Sequence, residues 1–175
     1  MTIDEFVDQN RKMWKQPGFE KQVRDFNRVF IPQIKRDGFY SIPMKFFSHS
    51  PSSVTVSMHG PPIKSKETFH PVFHNHDYFE LVYVYRGSCV NVFQDNEICL
   101  PQGTLLLLNP NVLHTPYTIK EDDVVLNMML SEDIFQKSLA PLLIDNSLFT
   151  NFFSQYFYQI SQTQAYLLFK PDDQA

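Results

Sequence analysis

The sequence predicts a mainly β domain, a sandwich or barrel with a jelly roll among its forms, flanked by helices at both ends. Three observations predict it. From Phe39 to about Leu130, short runs rich in Val, Tyr, Phe, Leu and Thr alternate with turn residues at close spacing. Residues 1–38, and those after Leu130, follow a helical period instead. The 175-residue chain is 43% hydrophobic and 15% aromatic, with 17 Phe and 8 Tyr. That is ample apolar material for one packed domain and too much for a disordered tail.

The first helix opens on Thr2 and Glu5, a Thr-x-x-Glu capping box. Ile3, Phe6, Val7, Met13 and Trp14 share one face, and Pro17-Gly18 stops it. In a second helix Phe19, Val23, Phe26 and Phe30 recur at helical spacing, and Pro32 is expected to end it. Both helices are expected to pack on the main body. The strand runs fall at 39–47, 53–58, 69–75, 79–86, 88–93, 98–100, 104–108, 113–119 and 123–130. SCVNVF, the turn QDNE and ICL spell out one hairpin, and Asn109-Pro110-Asn111 marks another turn. Ser131 is a natural cap for a short helix limited by Pro141. Leu148, Phe149, Phe152, Phe153, Tyr156, Phe157 and Ile160 then define an amphipathic helix, and AYLLFK at 165–170 reads as a strand. The expected divisions are a helical extension over 1–38, a barrel over 39–130, and helices with a strand over 131–175.

Several function classes are excluded early. The formal net charge is −4, so no basic surplus exists to neutralise phosphates, and nucleic-acid binding by this chain alone is not expected. No apolar run approaches the ~18 residues of a membrane span, and the N-terminus carries no signal-peptide core. A cytoplasmic protein without a membrane partner is expected. Cys89 and Cys99 lie in strand runs and are expected to be reduced, packed thiols. The five glycines are too scattered for a phosphate cradle. Neither a GxSxG elbow nor an HExxH pair occurs.

One constellation carries chemistry. In HNHDYFELVYVYRG, His74 and His76 form a His-x-His pair followed by Glu80 and Gly87. GTLLLLNPNVLH follows, with Gly103, Pro110 and His114. Residues two apart on an extended segment point to one side, so His74 and His76 can face one cavity. With Glu80 and His114 they would make a 3-His-1-carboxylate set suited to Fe, Mn, Ni, Zn or Cu. Tyr78 and Tyr83 are further candidates for a cavity lining.

These two segments resemble the cupin family. His74, His76, Glu80 and Gly87 match its first motif. The second is matched in part, by Gly103, Pro110 and His114, with Thr118 where an asparagine would stand. The resemblance implies a cupin-type β-barrel or jelly roll. A narrower resemblance is to the effector-binding N-terminal domain of AraC-type transcriptional regulators, over roughly residues 39–170. It rests on H-x-H-x-x-x-E-L-x-Y-V-x-x-G, then G-x-L-x-L-x-x-P-x-x-x-H, both present here. Such regulators carry a C-terminal pair of helix-turn-helix motifs, and this chain stops before any such segment. The resemblance therefore implies the sensor half of a regulator, excised or naturally truncated, touching DNA only through that further domain.

The function expected is effector sensing and dimerisation. A small molecule would bind among His74, His76, Glu80, His114, Tyr78 and Tyr83. Binding would shift the population of states of a homodimer formed through the 148–160 helix. No catalytic residue and no cofactor is expected. In enzymatic cupins the positions of His74, His76, Glu80 and His114 hold a divalent transition metal. The alternative reading is accordingly a metal-dependent cupin enzyme, a dioxygenase or isomerase, and a third is a stand-alone sugar-binding module.

Overall fold

The computed structural model describes residues 1–48, 50, 53–139, 141, 147–157 and 166–171. Helix α1 spans Ile3–Trp14 and begins as its sequence requires: Thr2 Oγ1 accepts from the Glu5 N–H at 3.2 Å, and Glu5 Oε2 accepts from the Thr2 N–H at 2.7 Å. Val7 is its buried anchor, packed with Met58, Val124 and Leu126. Helix α2 spans Phe19–Asp37 and runs straight through Pro32, where it was expected to end. A proline removes one N–H but does not force a stop when the residues beyond it still pack. Gly38 ends the helix instead, at φ +79°, with its N–H on the Ile34 carbonyl at 2.9 Å. Phe30 seats α2 on the body, its ring 4.7 Å from that of Tyr40.

Ten strands follow. They are β1 (Tyr40–Ile42), β2 (Val54–Met58), β3 (His74–His76), β4 (Tyr78–Arg86), β5 (Ser88–Phe93), β6 (Glu97–Pro101), β7 (Leu105–Leu108), β8 (His114–Tyr117), β9 (Val124–Ser131) and β10 (Tyr166–Phe169). Two expected runs are corrected. The run 39–47 breaks at Pro43 into β1 and a 3₁₀ turn, Met44–Phe46. In the run 69–75 only the end is strand: pairing starts at His74, and Pro71 upstream has no N–H to give a ladder.

The strands form two five-stranded sheets, in the orders β1-β3-β8-β5-β6 and β10-β7-β4-β9-β2. Only β1 and β3 pair in parallel among the described strands. The sheets face each other across one core: Val82, Val84, Leu106 and Leu108 of the second meet Cys89, Phe93 and Leu100 of the first. This is the mainly β, cupin-type architecture with flanking helices that the sequence predicts. A second core lies on the outer face of the second sheet, where Phe79, Leu107, Leu130 and Leu167 meet Phe135, Phe152 and Phe153.

Those last three come from the C-terminal helices. Helix α3, Glu132–Ile134, is capped as expected, with Ser131 Oγ accepting from the Ile134 N–H at 3.3 Å. A π-helical turn, Phe135–Leu139, continues it. Helix α4 covers Ser147–Phe157. The expected helix residues 158–160, and residue 165 of the expected strand, lie outside the described residues. Both cysteines are free; Cys89 is buried, but Cys99 on edge strand β6 is exposed rather than packed. Among the described residues no helix is long and apolar enough to cross a membrane.

Candidate ligand site

The site forms where the chain passes from one sheet to the other. β3 belongs to the first sheet and β4 to the second, with only Asp77 between them. Asp77 anchors this crossing by accepting the Met44 N–H at 2.6 Å. The crossing sets His74 and His76 on one wall and Glu80 on the other. Pairing of β3 with β8 places His74 opposite His114, with ring centroids 4.4 Å apart. The strand alternation of β4 turns Glu80, Val82 and Val84 inward and Phe79 outward.

At the centre, His76 Nε2 lies 3.4 Å and His114 Nε2 3.5 Å from Glu80 Oε2. All three residues are buried. His76 Nδ1–H donates to the Tyr78 carbonyl at 2.6 Å, and His114 Nδ1–H donates to Asn91 Oδ1 at 3.2 Å. In the neutral rings both Nε2 atoms are therefore acceptors, turned toward a carboxylate that is itself an acceptor. None of the three atoms has a hydrogen-bond partner, and His74 Nδ1 nearby lacks one too. Lone pairs converge here with no donor among them, which is costly to bury unless something electropositive joins them.

A cavity of about 230 Å³ opens beside this cluster, between the sheets. Tyr40, Ile42, Phe47, Tyr78 and Met129 form its apolar walls. Ser57, His59, His74, Glu80 and Asn127 supply its polar groups. Burial pushes His74 down to about 4, and it also depresses His59 and His114, so these rings are neutral near pH 7. Burial, then the charges of Glu80 and Asp77, raises Tyr78 well above the usual phenol range, so it stays protonated.

The structure brings together five of the six residues singled out in the sequence. His76 and His114 sit behind Glu80, while His74, Tyr78 and Glu80 line the cavity. Tyr83 is elsewhere: an odd position of β4, it faces outward against the α1 anchor cluster. His59 and Asn127 escaped the sequence reading. Their signal was an inverted strand. In β2 Val54 and Val56 are exposed, at 55% and 46%, so Ser57 and then His59 turn to the inner side. Pairing of β2 with β9 sets Ser57 opposite Asn127.

The donor set fits a metal ion in part. Ligand atoms of His76, Glu80 and His114 lie within 4.8 Å of one another, and all three lack other partners. Imidazole nitrogens with a carboxylate oxygen suit a divalent transition metal. His74 does not join that group, so three ligands converge rather than the expected four.

Comparison with known proteins places the chain. A model of the AraC-like ligand-binding domain matches residues 65–167. The chain belongs to that family. The match takes in β3 to β9, the start of β10 and every motif residue, whereas α1, α2 and the cavity residues Tyr40, Ser57 and His59 lie before it. Among solved structures, ToxT from Vibrio cholerae is 11% identical over 69% of this chain and 43% of its own, with a TM-score of 0.45. Unsaturated fatty acid-bound ToxT is 13% identical over 67% and 40%, with a TM-score of 0.44. A cupin-2 domain protein from Shewanella frigidimarina is 20% identical over 47% and 74%, with a TM-score of 0.35. This AraC-like domain thus spans less than half the length of the ToxT chains it resembles. No curated protein matches it.

Proposed function

We propose that this AraC-like domain senses a small-molecule effector held between its two sheets. The observation that carries the reading is the cavity itself: apolar walls around a few convergent polar groups, several of them buried without partners. Membership of the ligand-binding family supports it. In the wider reading the domain works inside a longer regulator in the cytoplasm, paired with a second copy along α4. Effector binding then shifts the population of two states and repositions a DNA-binding segment outside this chain. The domain is not an enzyme in this reading. A metabolite screen by thermal shift tests it. At least one compound should raise the melting temperature of the domain, and Ser57→Phe, which fills the cavity, should abolish the rise. A screen in which every hit survives that substitution counts against the cavity.

A second reading is favoured by the His76, Glu80 and His114 group. With a divalent transition metal there, the domain would be a metal-dependent cupin enzyme, a dioxygenase or isomerase. The ion would supply Lewis acidity, and the open wall at Tyr40 and Phe47 would admit substrate. Elemental analysis of protein purified without tag or chelator separates the two. The sensor reading expects well under one metal per chain.

A further inference from the structure

The walls of the cavity define the charge of what they hold. Its lining contains one carboxylate, Glu80, and no lysine or arginine among the described residues. An anionic ligand would meet that carboxylate in a buried site with no cation to balance it. Hydroxyls of Tyr40, Ser57 and Tyr78 are present, but the carboxylate has no cation facing it among the described residues. Glu80 Oε2, Asn127 Oδ1 and His74 Nδ1 are all buried and unpartnered. Asn127 and Glu80 lie on neighbouring strands: β4 and β9 pair Val82 with Asn127 and Glu80 with Met129, so both side chains enter from one wall. A positively charged donor would meet the carboxylate and the amide oxygen together. A protonated amine has two or three N–H donors, no acceptor and a positive charge.

The aromatic part of the lining answers the rest of the ligand. Tyr40, Phe47 and Tyr78 bring three aromatic rings to one small space. They are held in place: Tyr40 stacks on His74 at 5.3 Å and 27°, Tyr78 on His76 at 4.3 Å and 11°, and Phe47 meets Tyr78 edge-on at 6.0 Å. Aromatic faces attract cations and pack against apolar or aromatic tails. A hydrated metal ion alone would have no use for this wall.

Resting on the sensor reading above, we propose that the effector is a small organic cation. Its ammonium group is held by Glu80 and Asn127, and its body lies against Tyr40, Phe47 and Tyr78. The cavity of about 230 Å³ limits it to a small molecule, such as an amine bearing a single ring or a short chain.

Isothermal titration calorimetry on the metal-free full chain tests this with three probes of matched shape: phenethylamine, 2-phenylethanol and 3-phenylpropionate. Phenethylamine is expected to bind at least about ten-fold more tightly than either, as one charge-assisted contact predicts. Glu80→Gln, with circular dichroism confirming the fold, should remove that preference. If this variant fails to fold, the ranking of the three probes on the wild-type chain still decides. Tighter binding of the alcohol or the acid overturns the cation and leaves the sensor standing. No binding of any probe also overturns the cation; the sensor reading falls with it only if the metabolite screen is blank too. Amine binding that a folded Glu80→Gln leaves unchanged overturns the assignment to this site. One equivalent of bound Zn²⁺ without amine binding overturns it in favour of the metal centre.

Discussion

Glu80 is 5% exposed, and His114 is fully buried beside it. Holding such groups together in a dry interior has a consequence for stability against pH. Burial lowers the folded pKa of His59, His74 and His114 below the 6.5 of a free imidazole, to about 4 for His74. The unfolded chain then takes up protons below pH 6.5 while the folded rings stay neutral. Stability is full above about 6.5 and declines as the pH falls, by roughly 1.4 kcal/mol per pH unit for each such histidine. For His74 the loss continues down to about 4. Urea melts between pH 7.5 and 5 should show this slope, and a flat profile would contradict buried neutral rings. Gly87 is the second decisive residue. It sits at φ +75°, and a Cβ there would collide with Asp123 Oδ1. Asp123 cannot yield, because its carboxylate accepts from the N–H groups of Ser88, Ile119 and Lys120. Gly87→Ala should therefore cost about 3 kcal/mol, read from denaturant unfolding.

At the scale of elements, β4 organises the molecule. Its inward positions carry Glu80 to the site and Val82 and Val84 to the inter-sheet core. Its outward positions carry Phe79 to the C-terminal helices, 3.8 Å from the Phe135 ring, and Tyr83 to α1. A single strand thus fixes three layers, which is why it pairs on both sides, with β7 and β9. Helix α2 is less well matched to its sequence. Pro32 withholds an N–H inside it and is exposed, so nothing depends on the ring. Pro32→Ala should restore the missing bond and raise stability, by up to about 3 kcal/mol. Thermal unfolding followed at 222 nm reads this directly, and a lower melting temperature would show that Pro32 has a packing role.

For the whole molecule, the question is how far the N-terminal helices belong to the body. Val7 of α1 shares a buried cluster with Met58, Val124 and Leu126, and Arg11 Nη2 donates to the Glu121 carbonyl at 2.7 Å. Phe30 of α2 packs on Tyr40, which is itself a wall of the cavity. Removing residues 1–38 would expose both surfaces at about 25 cal/mol per Å² of apolar area. A chain of residues 39–175 should keep its β signal by circular dichroism and melt at a clearly lower temperature. An unchanged melting temperature would mean that the helices add nothing to the body.

Much of this was legible in the sequence, because periodicity is a local property. The helical faces of α1 and α4, the strand alternation of β4 and the His-x-His spacing all follow from which residues stand two, three or four apart. The motif residues Glu80 and His114, and the capping box at Thr2, were determined in the same way. Tertiary structure decided the rest. Whether His114 meets His74 depends on the pairing of β3 with β8, which long-range burial selects. Only the pairing of β9 with β4 and β2 sets Asn127 and His59 toward the cavity, whereas Tyr83, three residues from Glu80, faces away by the alternation of β4 itself. Local spacing fixes which side chains share a face; the face they then meet is set by packing between segments distant in sequence.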